Sequence, residues 1–201
     1  MAKDWNGNQT STYTTLGASN HTEADRAEHD YYSTEPKAGE LLLQIEPDLS
    51  DSIWECACGE NALSNVFKAH GKTVRCSDLV VRCDGIEQLD FLTCNEPMHG
   101  TDIITNPPYK FAKEFVEKAL SLMDDGRYVC MFLKLTFLEG KARRTLFEKY
   151  PPRRVWVSSS RLNCLPNGVS KQTTSAVCYA WFVWEKGYTG YTGYPELRWF
   201  N

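Results

Sequence analysis

The residues best placed to do chemistry are Asn106, Pro107, Pro108 and Tyr109, which follow directly on the run Asp102-Ile103-Ile104-Thr105. Two consecutive prolines fix the backbone and supply no amide hydrogens, so the carbonyls there stay free to accept. The Asn106 side-chain oxygen and the Pro107 carbonyl can then accept two hydrogen bonds from one amino group, while the Tyr109 ring offers a stacking face. Such a grip suits a planar amine. An aromatic amine is a poor nucleophile because its lone pair is delocalised into the ring. Acceptors on both of its hydrogens favour a more tetrahedral nitrogen and stabilise the positive charge that grows as it attacks, with no prior deprotonation.

A second set of residues reads as a binding loop. Glu55 to Asn61 forms a turn between a strand and a helix, where the backbone can approach a ligand at Gly59. Asp78 lies about twenty residues further on, at the end of the next strand. At that spacing a carboxylate accepts from ribose hydroxyls in doubly wound folds.

The elements that must carry these residues alternate along the chain. Pro36 opens a short apolar helix over Ala38–Ile45, ended by Pro47. Ser52–Cys56, Thr73–Cys76, Asp102–Thr105, Tyr128–Leu135, Val155–Ser158 and Val177–Glu185 read as strands. Ala62–Ala69, Phe111–Met123 and Lys141–Tyr150 read as helices, the second with Phe111, Phe115, Ala119 and Leu122 on one face. Strands alternating with helices predict an α/β fold with a mostly parallel sheet covered on both faces, whose ligands bind at the carboxyl ends of the strands.

The 201 residues, 42% hydrophobic and 24% charged, fit one domain with a full core. Residues 1–30, rich in Asn, Thr, Ser, Gly and acids, read as a flexible polar tail ahead of a domain over 31–201. No apolar run reaches the ~18 residues a membrane span needs, and the N-terminus lacks a signal-peptide pattern, so a soluble intracellular protein is expected. The eight cysteines are read as reduced, buried apolar side chains. Cys56 and Cys58 form a C-x-C pair without a second pair or nearby histidine, so no metal site is expected.

The net charge of −4 is unevenly spread: residues 1–30 carry five acids and two bases, whereas residues 127–171 carry ten bases and two acids. A local basic surface is what phosphate neutralisation requires, whatever the total. Lys134, Lys141, Arg143, Arg144, Arg153, Arg154, Arg161 and Lys171 are therefore candidate phosphate contacts, with Lys149 beside them. The loop from Ser158 to Ser175 is the candidate for base readout.

Several motifs occur in order: Asp30 to Pro36, Trp54 to Glu60, Ser77-Asp78-Leu79, Asp90-Phe91-Leu92, Asn106 to Tyr109, and Phe132 to Gly140. From Tyr31 to Lys186 the chain thereby resembles the adenine-specific DNA amino-methyltransferases, in particular small single-domain phage-type enzymes. The resemblance implies a doubly wound, mostly parallel seven-stranded sheet of the Rossmann-like type. It also implies methyl transfer from S-adenosylmethionine to the exocyclic amino group of adenine in double-stranded DNA, in the cytoplasm of a bacterial or phage-infected cell. On this likeness Tyr31, Tyr32, Thr34, Glu55, Cys56, Ala57 and Gly59 contact the cofactor, Asp78 takes its ribose, and Asp90 and Phe91 hold its adenine. The target adenine would be flipped from the duplex to reach Asn106.

One departure stands at Asn61, where the family's loop usually has a second glycine. Asparagine tolerates the left-handed conformation the turn needs, while its side chain threatens to crowd the cofactor. Other readings stay open: the same transfer to RNA or to a protein glutamine amide, or a catalytically silent nucleic-acid-binding module. A monomer is the expected assembly.

Overall fold

Alternation along the buried strands decides the architecture. In β6 (Tyr128–Lys134) successive side chains point to opposite faces, and all but Lys134 are buried. Val129, Met131 and Leu133 enter one apolar cluster, whereas Tyr128, Cys130 and Phe132 enter the other. A strand apolar on both faces must be covered on both, and helices supply the cover. The computed structural model describes residues 32–166, 177–190 and 194–201. The expected N-terminal tail, residues 1–30, lies outside the described residues.

In chain order the elements are β1 (Tyr32–Thr34), α1 (Pro36–Ile45), β2 (Ser52–Glu55), α2 (Ala62–Ala69), β3 (Thr73–Asp78), β4 (Glu87–Gln88), β5 (Asp102–Thr105), α3 (Ala112–Leu122), β6, α4 (Lys141–Lys149), β7 (Arg154–Ser158), β8 (Cys164–Pro166), β9 (Tyr179–Glu185) and β10 (Glu196–Phe200). The large sheet has the order β10-β7-β9-β6-β5-β2-β3-β4, and β1 pairs with β8 in a separate antiparallel ribbon. Only β9 runs antiparallel to its neighbours in the large sheet. The doubly wound α/β reading holds, with one correction: among the described residues the sheet has eight strands rather than seven, because Glu196–Phe200 adds an outer edge beside β7.

Helices α1 and α2 cover one face through Ala38, Leu42, Leu63 and Phe67, while α3 and α4 cover the other through Phe115, Val116, Ala119 and Leu146. Buried polar contacts tie the layers together. Asp102, at the start of β5, accepts from the Ser50 and Tyr128 amides at 2.6 and 2.9 Å. Glu46, at the end of α1, receives the Arg154 guanidinium and the Trp156 indole N–H, the latter at 2.6 Å.

The chain runs outward from β2 through β3 to β4, then returns to β5 on the other side of β2. The crevice beyond the carboxyl ends of β2 and β5 is therefore the switch point at which open α/β sheets bind ligands.

Candidate active site

Everything singled out at the ends of these two strands converges on one cleft of about 570 Å³, within the range of small-molecule sites. Tyr32, Thr34, Glu55, Cys56, Ala57, Asp78, Asp90, Phe91, Asn106 and Pro108 all line it. Gly59 stands behind the wall, with a φ of 56°, and donates its amide to Asp78 Oδ2 at 2.8 Å. Tyr31 lies outside the described residues. The fold thus gathers residues from four separate loops.

The first strand sets the Asn106 amide. Asn106 Nδ2 donates to the Tyr32 carbonyl at 3.1 Å and to Thr34 Oγ1 at 2.9 Å, with Cys164 Sγ 3.7 Å away. Both amide hydrogens are thereby used, and Oδ1 is buried with no donor among the described residues. The amide atom left to pair is an acceptor.

Pro107 is buried and Tyr109 does not line the cleft. The Tyr109 ring packs against Tyr32 at 5.1 Å and Tyr179 at 6.3 Å, with Lys134 Nζ 4.6 Å from its centroid. Burial pushes its phenol well above the ordinary range. This corrects the expected open stacking face, because the ring is committed to an aromatic cluster behind Asn106. Among the aromatic side chains that line the cleft, Phe111 is 42% exposed.

The binding loop takes the predicted turn. Asn61 sits at φ 62°, ψ 25°, in the left-handed region. Its Nδ2 turns to Cys83 Sγ at 3.2 Å. Burial raises the Glu55 carboxyl to about 8, partly offset by the Ser64 hydroxyl that donates to it.

Asp78 is more engaged than a free ribose acceptor. Its Oδ2 takes the Gly59 amide, and its Oδ1 takes the Val80 amide at 3.0 Å and the Arg82 guanidinium at 3.2 Å. A carboxylate offers about four lone-pair sites, so capacity for one further donor remains. Asp90 caps the short turn Phe91–Thr93, accepting from the Leu92 amide at 3.0 Å.

Beside these acids an apolar wall of Leu79, Val80, Leu89, Phe91, Leu92 and Phe115 closes one end of the cleft. A planar base fits against such a wall and ribose hydroxyls can donate to the adjoining carboxylates, which suits an adenosyl cofactor. Sequence reasoning missed Arg82, Lys110 and Phe111 here. Arg82 and Lys110 look locally like solvated loop residues, and Phe111 reads as part of a helix's apolar face; only the fold brings the three to one cleft.

The candidate phosphate contacts are scattered. Lys141, Arg144 and Arg161 are exposed, Arg144 paired with Glu148 at 2.7 Å. Arg143 is bound to the Glu139 and Thr136 carbonyls. Lys134 sits over Tyr109 and Tyr32. Arg153 pairs with Glu185.

Arg154 requires correction as a phosphate contact: it is 7% exposed, and its guanidinium is held by Glu46. Lys171 and much of the Ser158–Ser175 loop lie outside the described residues. Among the described residues no cluster of three or more His, Cys, Asp or Glu is placed to hold a metal. No described helix is long and apolar enough to cross a membrane.

No protein-family model and no curated protein matches the chain. Among solved structures, it is similar to a Pyrococcus horikoshii protein assigned as an RNA methyltransferase (TM-score 0.58, 15% identity, 88% of this chain and 98% of that one). It is also similar to a Listeria monocytogenes protein assigned as a class I S-adenosylmethionine-dependent methyltransferase (TM-score 0.54, 13% identity, 95% of this chain and 70% of that one). A third is the type I restriction-modification methyltransferase subunit of Streptococcus thermophilus (TM-score 0.54, 15% identity, 79% of this chain and 46% of that one). At such identities the likeness is one of fold: the chain has the Rossmann-like fold of S-adenosylmethionine-dependent methyltransferases.

Proposed function

We propose that the protein transfers a methyl group from S-adenosylmethionine to the exocyclic amino group of adenine in double-stranded DNA. The observation that carries this reading is the Asn106 side chain. Its two hydrogens are spent on Tyr32 and Thr34, and its oxygen is a buried acceptor without a donor among the described residues, at the end of β5 beside the switch point. A buried acceptor left unpaired costs about 1–3 kcal/mol, which an amine in the site recovers.

The cofactor would lie along the cleft with its adenine against Phe91, Leu92 and Phe115, its ribose toward Asp78 and its methionine part near Glu55 and Ala57. Bound there, it supplies an electrophilic methyl on a sulfonium. Asn106 Oδ1 and the Pro107 carbonyl hold the two hydrogens of the attacking amine and stabilise the positive charge it acquires. Phe111 offers the flipped base a face for stacking, while Tyr109 and Lys134 support the motif from behind. Lys141, Arg143, Arg144 and Arg161 are the candidate phosphate contacts.

DNA is favoured by the order of motifs around Asn106 and by the restriction-modification subunit among the similar folds. The test is transfer of labelled methyl to duplex DNA free of adenine methylation, with RNA and a protein lysate in parallel and nucleoside analysis of the product. Methylated adenine in DNA is the expected result. Label confined to RNA or protein overturns the substrate, and no label with no cofactor binding overturns the activity.

A further inference from the structure

Among the described residues, β10 is the outer edge of the large sheet and pairs only with β7. Its Leu197 and Trp199 are 51% and 63% exposed. The Glu196 amide donates to Arg153, and the Phe200 carbonyl accepts from Ser159. Residues 196, 198 and 200 therefore turn their backbone groups toward β7, and Leu197 and Trp199 turn theirs to the open edge.

Leu197 and Trp199 stand beside Val155 and Val157 of β7, on the face covered by α4. On that face a shallow cavity is lined by Leu138, Phe147, Pro151 and Pro195, with Gly140 and the paired Arg144 and Glu148 completing its wall. An edge strand carrying two large exposed apolar side chains is a poor solvent boundary.

The order Glu196-Leu197-Arg198 is complementary to itself. In an antiparallel pair centred on Leu197, Glu196 of each copy lies opposite Arg198 of the other, and Trp199 lies opposite Pro195 on the face of the cavity. The Leu197 and Trp199 amides would donate to Leu197 and Pro195 carbonyls across the axis, about four main-chain bonds in all.

We propose that the protein forms a two-fold dimer by antiparallel pairing of β10 with β10 of a second copy, in place of the monomer the sequence suggests. Opposite charges set the register, and Trp199 of each copy packs against Pro195 and the cavity of the other.

Sedimentation equilibrium of the full chain over a concentration series tests this, with thermal melts confirming that each variant is folded. The wild type is expected to approach twice 22.9 kDa. Arg198→Glu places like charges opposite one another and should weaken dimerisation by about tenfold. The double exchange Glu196→Arg with Arg198→Glu restores complementarity and should return the constant to near the wild-type value. Trp199→Glu should leave a monomer. A wild type that stays monomeric throughout overturns the proposal. So does a dimer indifferent to both Arg198→Glu and Trp199→Glu, or a double exchange as weak as Arg198→Glu alone.

Discussion

At the scale of single residues, the orientation of one amide decides what the site can recognise. Asn106 would present a donor as readily as an acceptor if it were free to turn. The Tyr32 carbonyl and Thr34 Oγ1, both acceptors toward Nδ2, remove that freedom. Asn106→Ala should lower methyl transfer by about 10²- to 10³-fold, with cofactor affinity by calorimetry nearly unchanged. Thr34→Val keeps the shape and removes one restraint. It should reduce kcat by about tenfold (~1.4 kcal/mol) without moving the cofactor KM, while Thr34→Ser restores most of the rate. Should cofactor affinity fall instead while kcat holds, Thr34 is the cofactor contact its motif suggested.

Glu55 offers a pH test in the ligand-free protein. Its carboxyl is raised to about 8, chiefly by burial, so the native state retains a proton that the unfolded chain loses near 4.5. Its stabilising contribution is therefore full below pH 4.5 and is lost as pH rises through about 8, with a slope of up to about 1.4 kcal/mol per pH unit. Glu55→Gln should flatten that part of the stability profile in urea titrations.

Elements with a strong internal period were legible in the sequence, and those defined by distant pairing were not. Strands such as β5 and β6 declare themselves by unbroken apolar runs, and α2 and α3 by their apolar stripes, so their boundaries agree with the sequence reading to within a residue or two. The ribbon of β1 and β8 consists of two three-residue strands far apart in sequence, held by each other and by the Glu35 amide on the Asn163 carbonyl. Nothing local in Tyr-Ser-Thr or Cys-Leu-Pro specifies that pairing. Yet this ribbon holds Asn106.

β10 is hard to see in the sequence because an exposed edge strand lacks the continuous apolar run that marks a buried one. The loop after β2 is the opposite case, where the chemistry of a single side chain anticipates the geometry. Asn61 takes the left-handed backbone that a glycine would. Asn61→Ala should cost ~1–2 kcal/mol in urea unfolding, whereas Asn61→Gly should stay within about 0.5 kcal/mol of the native chain.

For the whole molecule, the uneven charge has two uses, and linear sequence does not separate them. Residues 127–171 are strongly basic, but part of that charge is structural. Arg154 is enclosed with Glu46 and joins α1 to β7 across the fold, whereas Arg144 and Lys141 stand on the exposed side of α4. Two substitutions should distinguish the roles. Arg154→Met leaves Glu46 buried without its cation, so it should destabilise the protein by ~3–5 kcal/mol while the salt dependence of DNA binding by the folded fraction stays unchanged. Lys141→Glu combined with Arg144→Glu should barely move stability, because exposed ion pairs contribute ~0–1 kcal/mol. It should weaken DNA binding and shrink the slope of log K against log salt by about 0.9 for each phosphate no longer neutralised. A steep slope that survives this double reversal would move the nucleic-acid surface off α4. Arg161, which is exposed beside Cys178, and Lys134, which sits over Tyr109, would then be the next charges to reverse.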